Sequence, residues 1–144
     1  MIYIGSDHAG YRLKREIIAF LESMGLPYTE YGCTDGSSFD YPNAAEDTCK
    51  ALLEGEKDDF AILVCGTGIG ISIAANKIKG IRAALVTDAF TAEMAKLHNN
   101  ANCICMGERV TGAGVAISAV KKYMETDFEG GRHERRVNQI MALE

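Results

Sequence analysis

The chain has 144 residues, 47% of them hydrophobic and 24% charged, with a formal net charge of −5. That length suits one domain, 1–144, with a sizeable core, and the acidic balance argues against a nucleic-acid or anionic-membrane surface. No apolar run is long enough to span a bilayer, no basic-then-apolar leader opens the chain, and five cysteines without a C-x-x-C pair suggest reduced thiols, so the expected setting is cytoplasmic.

Met1 to Ser6 is rich in β-formers and ends in the polar turn Asp7-His8-Ala9-Gly10. A helix is expected from about Tyr11 to Met24, with Leu13, Ile17, Phe20, Leu21 and Met24 on one stripe, Lys14, Arg15 and Glu22 off it, and Gly25 as its stop. Pro27 to Tyr31 reads as a second strand, Gly32 to Pro42 as a loop and Asn43 to Leu53 as a helix. Phe60 to Val64 is wholly apolar and β-branched, the pattern of a strand buried on both faces; a glycine-rich turn follows, and a helix from Ile71. Then come a strand at Arg82 to Val86, a helix from Ala89 to His98, a strand from Asn102 to Met106 and a helix from Gly112 to Met124. Gly130-Gly131 precedes a last helix, Arg132 to Leu143. Strands alternating with helices predict an α/β fold: a three-layer αβα sandwich on a doubly wound, five-stranded parallel sheet, Rossmann- or flavodoxin-like. Ligands bind such sheets beyond the carboxyl ends of the strands, where Asp7, His8, Cys65, Thr67 and Arg109 fall by position.

The turn Cys65-Gly66-Thr67-Gly68-Ile69-Gly70 carries the chemistry. Strand, glycine turn and helix aim backbone N–H groups at an anion, and a thiol at a helix N-terminus is favoured as thiolate. The turn fits no dinucleotide fingerprint or C-x-x-x-x-x-R phosphatase loop, since Ile71 stands where a glycine or an arginine would be needed, and no phosphate loop, since no Lys-Ser or Lys-Thr pair follows the glycines. A tight βα connection with a buried cysteine remains an equal reading of this stretch alone.

Other candidates carry plainer alternatives. Asp7 fits a helix cap as well as a site, and His98-Asn99-Asn100 fits a solvated helix end. Arg132 and Arg136 are four apart on one helix face and suit a phosphate clamp, or a solvated basic face balanced by Glu129 and Glu134. Cys103 and Cys105 share a strand face and read as core filling.

Taken together, Gly5-Ser6-Asp7-His8-Ala9-Gly10, Asp40-Tyr41-Pro42, Cys65 to Ser72, Ala74-Ala75-Asn76-Lys77, His98-Asn99-Asn100, Gly107-Glu108-Arg109 and Glu129-Gly130-Gly131-Arg132-His133 resemble the ribose/galactose phosphate isomerase family over essentially the whole chain. The resemblance implies an aldose–ketose isomerase of the pentose phosphate pathway, acting on ribose 5-phosphate and ribulose 5-phosphate without metal or other cofactor. It assigns Cys65 as the base, Thr67 and the amides of Gly66, Gly68 and Gly70 as oxyanion holders, and His98, assisted by Asp7, to ring opening. His8, Arg109, Arg132 and Arg136 would hold phosphate, Asn99 the hydroxyls, and Tyr41, Ile69 and Ser72 would complete the pocket. It further implies a homodimer or homotetramer whose terminal helix brings its arginines to a neighbour's site. Some relatives replace the cysteine by a glutamate slightly downstream; here Cys65 is present and Asn76 is no acidic substitute. Two alternatives stand beside this: an allose or galactose 6-phosphate isomerase, and a non-catalytic phospho-ligand module.

Overall fold

Phe60–Cys65 (β3) is buried at every position and lies at the centre of a five-stranded parallel sheet. In the computed structural model, which describes Met1–Glu144, Ile2–Ser6 (β1) and Tyr28–Gly32 (β2) lie on one side of it. Cys103–Gly107 (β5) and the edge strand Ala83–Leu85 (β4) lie on the other, giving the order β2-β1-β3-β5-β4. After β3 the chain skips a place to the edge and then returns, so β5 takes the inner position.

The helices are Tyr11–Ser23 (α1), Tyr41–Leu53 (α2), Ile69–Asn76 (α3), Ala89–Leu97 (α4), Ala113–Met124 (α5) and Arg132–Met141 (α6). Strand alternation divides the core in two. Phe60, Ile62, Val64, Ile104 and Met106 pack with α1, α4 and α5. Ala61, Leu63, Cys65, Cys103 and Cys105 face α2 and α3. This is the expected three-layer α/β sandwich. Cys103 and Cys105 share one face, as their spacing implies, with Sγ atoms 3.9 Å apart and no disulfide. Burial pushes the Cys103 thiol further up from its ordinary range, after the hydrogen bond with Cys105 that contributes most.

Several expectations need correcting. Helix α2 begins at Tyr41, two residues early, because Pro42 sits in its first turn, where the missing N–H costs nothing. Helix α3 begins at Ile69, on Gly68 with φ of 79°. Strand β4 is only three residues long, because Asn76 grips Ala83 through its amide on both sides and Val86 turns into the core. Met24 lies exposed, at 56%.

Lys14, expected off the apolar stripe, is fully buried. Its ammonium donates to the carbonyls of Tyr31 and Cys33 and pairs with Glu30 at 2.8 Å, pinning α1 to the end of β2. Burial pushes the Lys14 ammonium down, partly offset by Glu30.

Candidate active site

At the carboxyl end of β3, Cys65 is 4% exposed and its Sγ accepts the Gly68 N–H at 3.1 Å. An amide aimed at sulfur is a contact that a thiolate accepts more strongly than a thiol. The turn holds this shape because side chains have no room in it. A Cβ on Gly68 would lie 2.8 Å from the backbone of Met106, and one on Gly107 would lie 2.4 Å from the backbone of Thr67. Thr67 is exposed, and its Oγ1 accepts the Ile69 N–H at 3.2 Å.

Two side chains flank the turn. A Cβ on Gly66 would lie 2.9 Å from Arg109 Nη1, and one on Gly70 would lie 2.8 Å from the Tyr41 ring, so guanidinium and phenol rest directly on the two glycines. The Arg109 N–H donates to Gly66 O, which ties the β5 turn to the β3 turn.

The β1 turn closes the crevice. Asp7 is buried, accepts the Gly10 N–H at 2.9 Å and donates its own N–H to Val64 O. It therefore closes the Asp7–Gly10 turn beside β3 and is not the helix cap of the plainer reading, since the N-cap of α1 is Gly10, with no side-chain cap bond. His8 is exposed, and its Nδ1 lies 3.2 Å from the Phe39 backbone nitrogen and 3.3 Å from the Phe39 carbonyl oxygen. Phe39, in the loop before α2, thus orients His8 through its backbone, a role that no side-chain pattern reveals. Ile69 is exposed at the mouth, while Ser72 is turned inward and donates to Ile69 O at 2.7 Å.

The remaining candidates lie elsewhere. His98 caps the end of α4, which precedes β5, so it stands at the amino end of the sheet. Cys65 pairs with Gly107 at the far end of that strand, roughly 13 Å along it at the usual rise. Asn99 is exposed and lines a hollow with Asn76, Ile81 and Ile140. Arg132 and Arg136 are exposed on α6, which docks on its own chain through buried His133 and Val137. The Gly130-Gly131 pair makes a turn with φ of 70° and 57° ahead of this helix. The candidates thus fall into two groups: Asp7, His8, Tyr41, Cys65, Thr67 and Arg109 at one end, His98, Asn99, Arg132 and Arg136 away from them.

A contact that sequence reading missed marks the second group. His98 and His133 stack, centroids 4.2 Å apart and planes 12° apart, and Glu129 Oε2 lies 3.9 Å and 3.3 Å from their Nε2 atoms. Two histidines and a carboxylate have the composition of a metal site. However, imidazole lone pairs lie in the ring planes, and parallel rings cannot both aim at one ion. The signal in the sequence was the scarcity of histidine, three in all, with two of them meeting here.

A doubly wound sheet with an amide-lined thiol turn at a strand's carboxyl end, flanked by arginine and tyrosine, places this chain among the α/β proteins that bind ligands beyond the carboxyl ends of their strands. The profile of the Ribose/Galactose Isomerase family matches residues 2–140, and the chain belongs to that family. Ribose-5-phosphate isomerase B of Escherichia coli is 41% identical over 143 residues, covering 99% of this chain and 95% of that one. Ribose-5-phosphate isomerase B of Clostridium thermocellum superposes with a TM-score of 0.94 at 46% identity, over 99% of this chain and 95% of that chain. The Mycoplasma genitalium enzyme, solved with bound ribulose-5-phosphate, gives 0.91 at 36% identity, over 99% and 94%.

Proposed function

We propose that this chain is a ribose-5-phosphate isomerase, a single 1–144 isomerase domain that acts as a homodimer. The observation that carries the reading is the Gly68 N–H on Cys65 Sγ inside a turn roofed by Arg109 and Tyr41. The Cys65 thiolate takes the proton from C2 of the open-chain aldose. The resulting enediolate oxygen is held by turn amides and the Thr67 hydroxyl. The hydroxyl proton passes from O2 to O1, and the Cys65 thiol returns its proton to C1, which leaves C2 as the carbonyl of the ketose. The exchange is internal, so electrons balance without a cofactor.

His98 opens the furanose ring by giving a proton to the ring oxygen and taking one from the anomeric hydroxyl. Because His98 stands at the opposite end of its own sheet, it serves the site of a second copy, together with Asn99, Arg132 and Arg136. Asp7 assists it across the interface. His8 and Arg109 meet the phosphate from the cysteine side. A two-fold axis perpendicular to the strands would set one carboxyl end against the other amino end. Exposed Ile69, Ile73, Leu85 and Phe90, around α3 and the β4 edge, offer an apolar surface for that contact. No helix is long and apolar enough to cross a membrane. Five free thiols suit a reducing compartment.

The test is an isomerase assay on a panel of aldose phosphates, with ribose 5-phosphate, allose 6-phosphate and galactose 6-phosphate compared. Turnover highest on ribose 5-phosphate is expected. No turnover on any of them would leave only a binding role.

A further inference from the structure

His133 is 8% exposed, yet its Nε2 makes no hydrogen bond of acceptable geometry. A buried polar atom left in this state costs about 1–3 kcal/mol, so a phenyl ring would fill the place more favourably. The nitrogen must be carried for something other than packing. Its surroundings say what: the ring lies flat against His98, and Glu129 stands in front of both Nε2 atoms.

His98 needs such support. It is the C-cap that follows the nine-residue α4, bound by its N–H to Met94 O, with its side chain 38% exposed. Nothing else in the structure fixes its ring. Glu129 is itself anchored, because its N–H donates to Leu97 O at 3.0 Å, one residue before His98. The other charged groups on the surrounding elements are Glu93 and Lys96 on α4, Glu125 and Asp127 in the α5–α6 connection, and Arg132, Glu134, Arg135 and Arg136 on α6.

We propose that Glu129 and His133 are positioning residues that hold the His98 ring at a set place relative to the arginines of α6. His133 lies between Arg132 and Arg136 on one helix, so the surface that backs His98 and the surface that grips phosphate are a single rigid body. The substrate this arrangement suits is a sugar whose ring oxygen and phosphate are a fixed distance apart. The inference rests on the ring-opening role given to His98 above.

The experiment uses the full chain and three variants, Glu129→Gln, His133→Ala and His133→Phe, with folding checked by circular dichroism. Proton NMR of the histidine rings reads the stack directly, and the His98 signals are assigned by their loss in His98→Asn. Stacking should shift those signals upfield in the wild type. His133→Ala should return them toward free-imidazole values, and His133→Phe should keep the shift. Kinetically, His133→Ala and Glu129→Gln should lower kcat on cyclic ribose 5-phosphate by about tenfold at unchanged KM, with a smaller loss on open-chain ribulose 5-phosphate. His133→Phe should recover only part of the loss seen in His133→Ala, because it keeps the stack but not the nitrogen that faces Glu129. Unmoved His98 signals in both His133→Ala and Glu129→Gln would overturn the proposal, as would wild-type kcat in both. Should the wild type isomerise none of the sugars, the functional reading fails, while the NMR signals still decide whether the two residues hold the ring.

Discussion

Cys65 and its turn show how little freedom the chemistry leaves to single residues. The sulfur is buried, faces the Gly68 amide and sits where only glycines let the turns after β3 and β5 meet. Replacing Cys65 by Ala should therefore cost about a hundredfold to ten-thousandfold in turnover while phosphosugar binding persists. Steady-state rates and a binding titration check both halves of that statement, and near-normal turnover would move the base elsewhere. Gly68→Ala should be harmful in another way. The site requires φ of 79°, and a Cβ there meets Leu85 and the backbone of Met106, so a loss of about 1–3 kcal/mol in urea unfolding is expected alongside lower activity. The thiol and the glycine turn were legible in the sequence as a succession of strand, glycines and helix, although that stretch alone read equally as a tight βα connection with a buried cysteine. The orientation of His8 was not legible, since it depends on the backbone of Phe39, thirty-one residues away.

Among the elements, α1 and β2 are joined by a charge rather than by apolar packing alone. Every residue of β2 is only half-buried, and Lys14 ties its end to α1 through two carbonyls and Glu30. Lys14→Met keeps the volume but strips donors from both carbonyls, so about 1–3 kcal/mol should be lost, measured by urea unfolding. The loop carrying Phe39 follows directly, and His8 should loosen with it. Glu30 adds a pH dependence whose direction follows from its surroundings. Burial pushes its carboxyl up, but Lys14 and Arg15 outweigh that and hold it below the ordinary carboxylate value. A carboxyl lowered by folding adds stability above its unfolded value, and that stability is lost as pH falls through the folded one. Unfolding free energy should accordingly fall in mild acid, and Glu30→Gln should flatten the fall. An acid profile unchanged by that substitution would remove Glu30 from the account. Strand β3 and the helices packed on it were readable from apolar runs and periodicity. Lys14 was hidden because a stripe rule sends every lysine to solvent, and the start of α2 because Pro42 reads as a breaker when it is a starter.

Across the whole molecule, the order β2-β1-β3-β5-β4 decides which candidates meet. Short motifs place Cys65 and His98 on loops, but only the topology says that these loops lie at opposite ends of the sheet. Sequence periodicity carries no such information, because it describes each element and not the direction in which one runs past another. One consequence is kinetic: His98→Asn should impair turnover of cyclic ribose 5-phosphate more than of ribulose 5-phosphate, which has no furanose to open. Equal losses in initial rate would count against ring opening. The larger consequence of the proposed function is that each site would draw on two copies of the chain. The measurement that tests this most directly mixes Cys65→Ala with His98→Asn under conditions that exchange subunits, each variant being nearly inactive alone. In a mixed dimer one site combines both defects and the other has neither, so about a quarter of wild-type activity should return in a random equal mixture. Verified mixed dimers without any recovery would show that Cys65 and His98 serve the same chain, and would contradict the shared site on which this account stands.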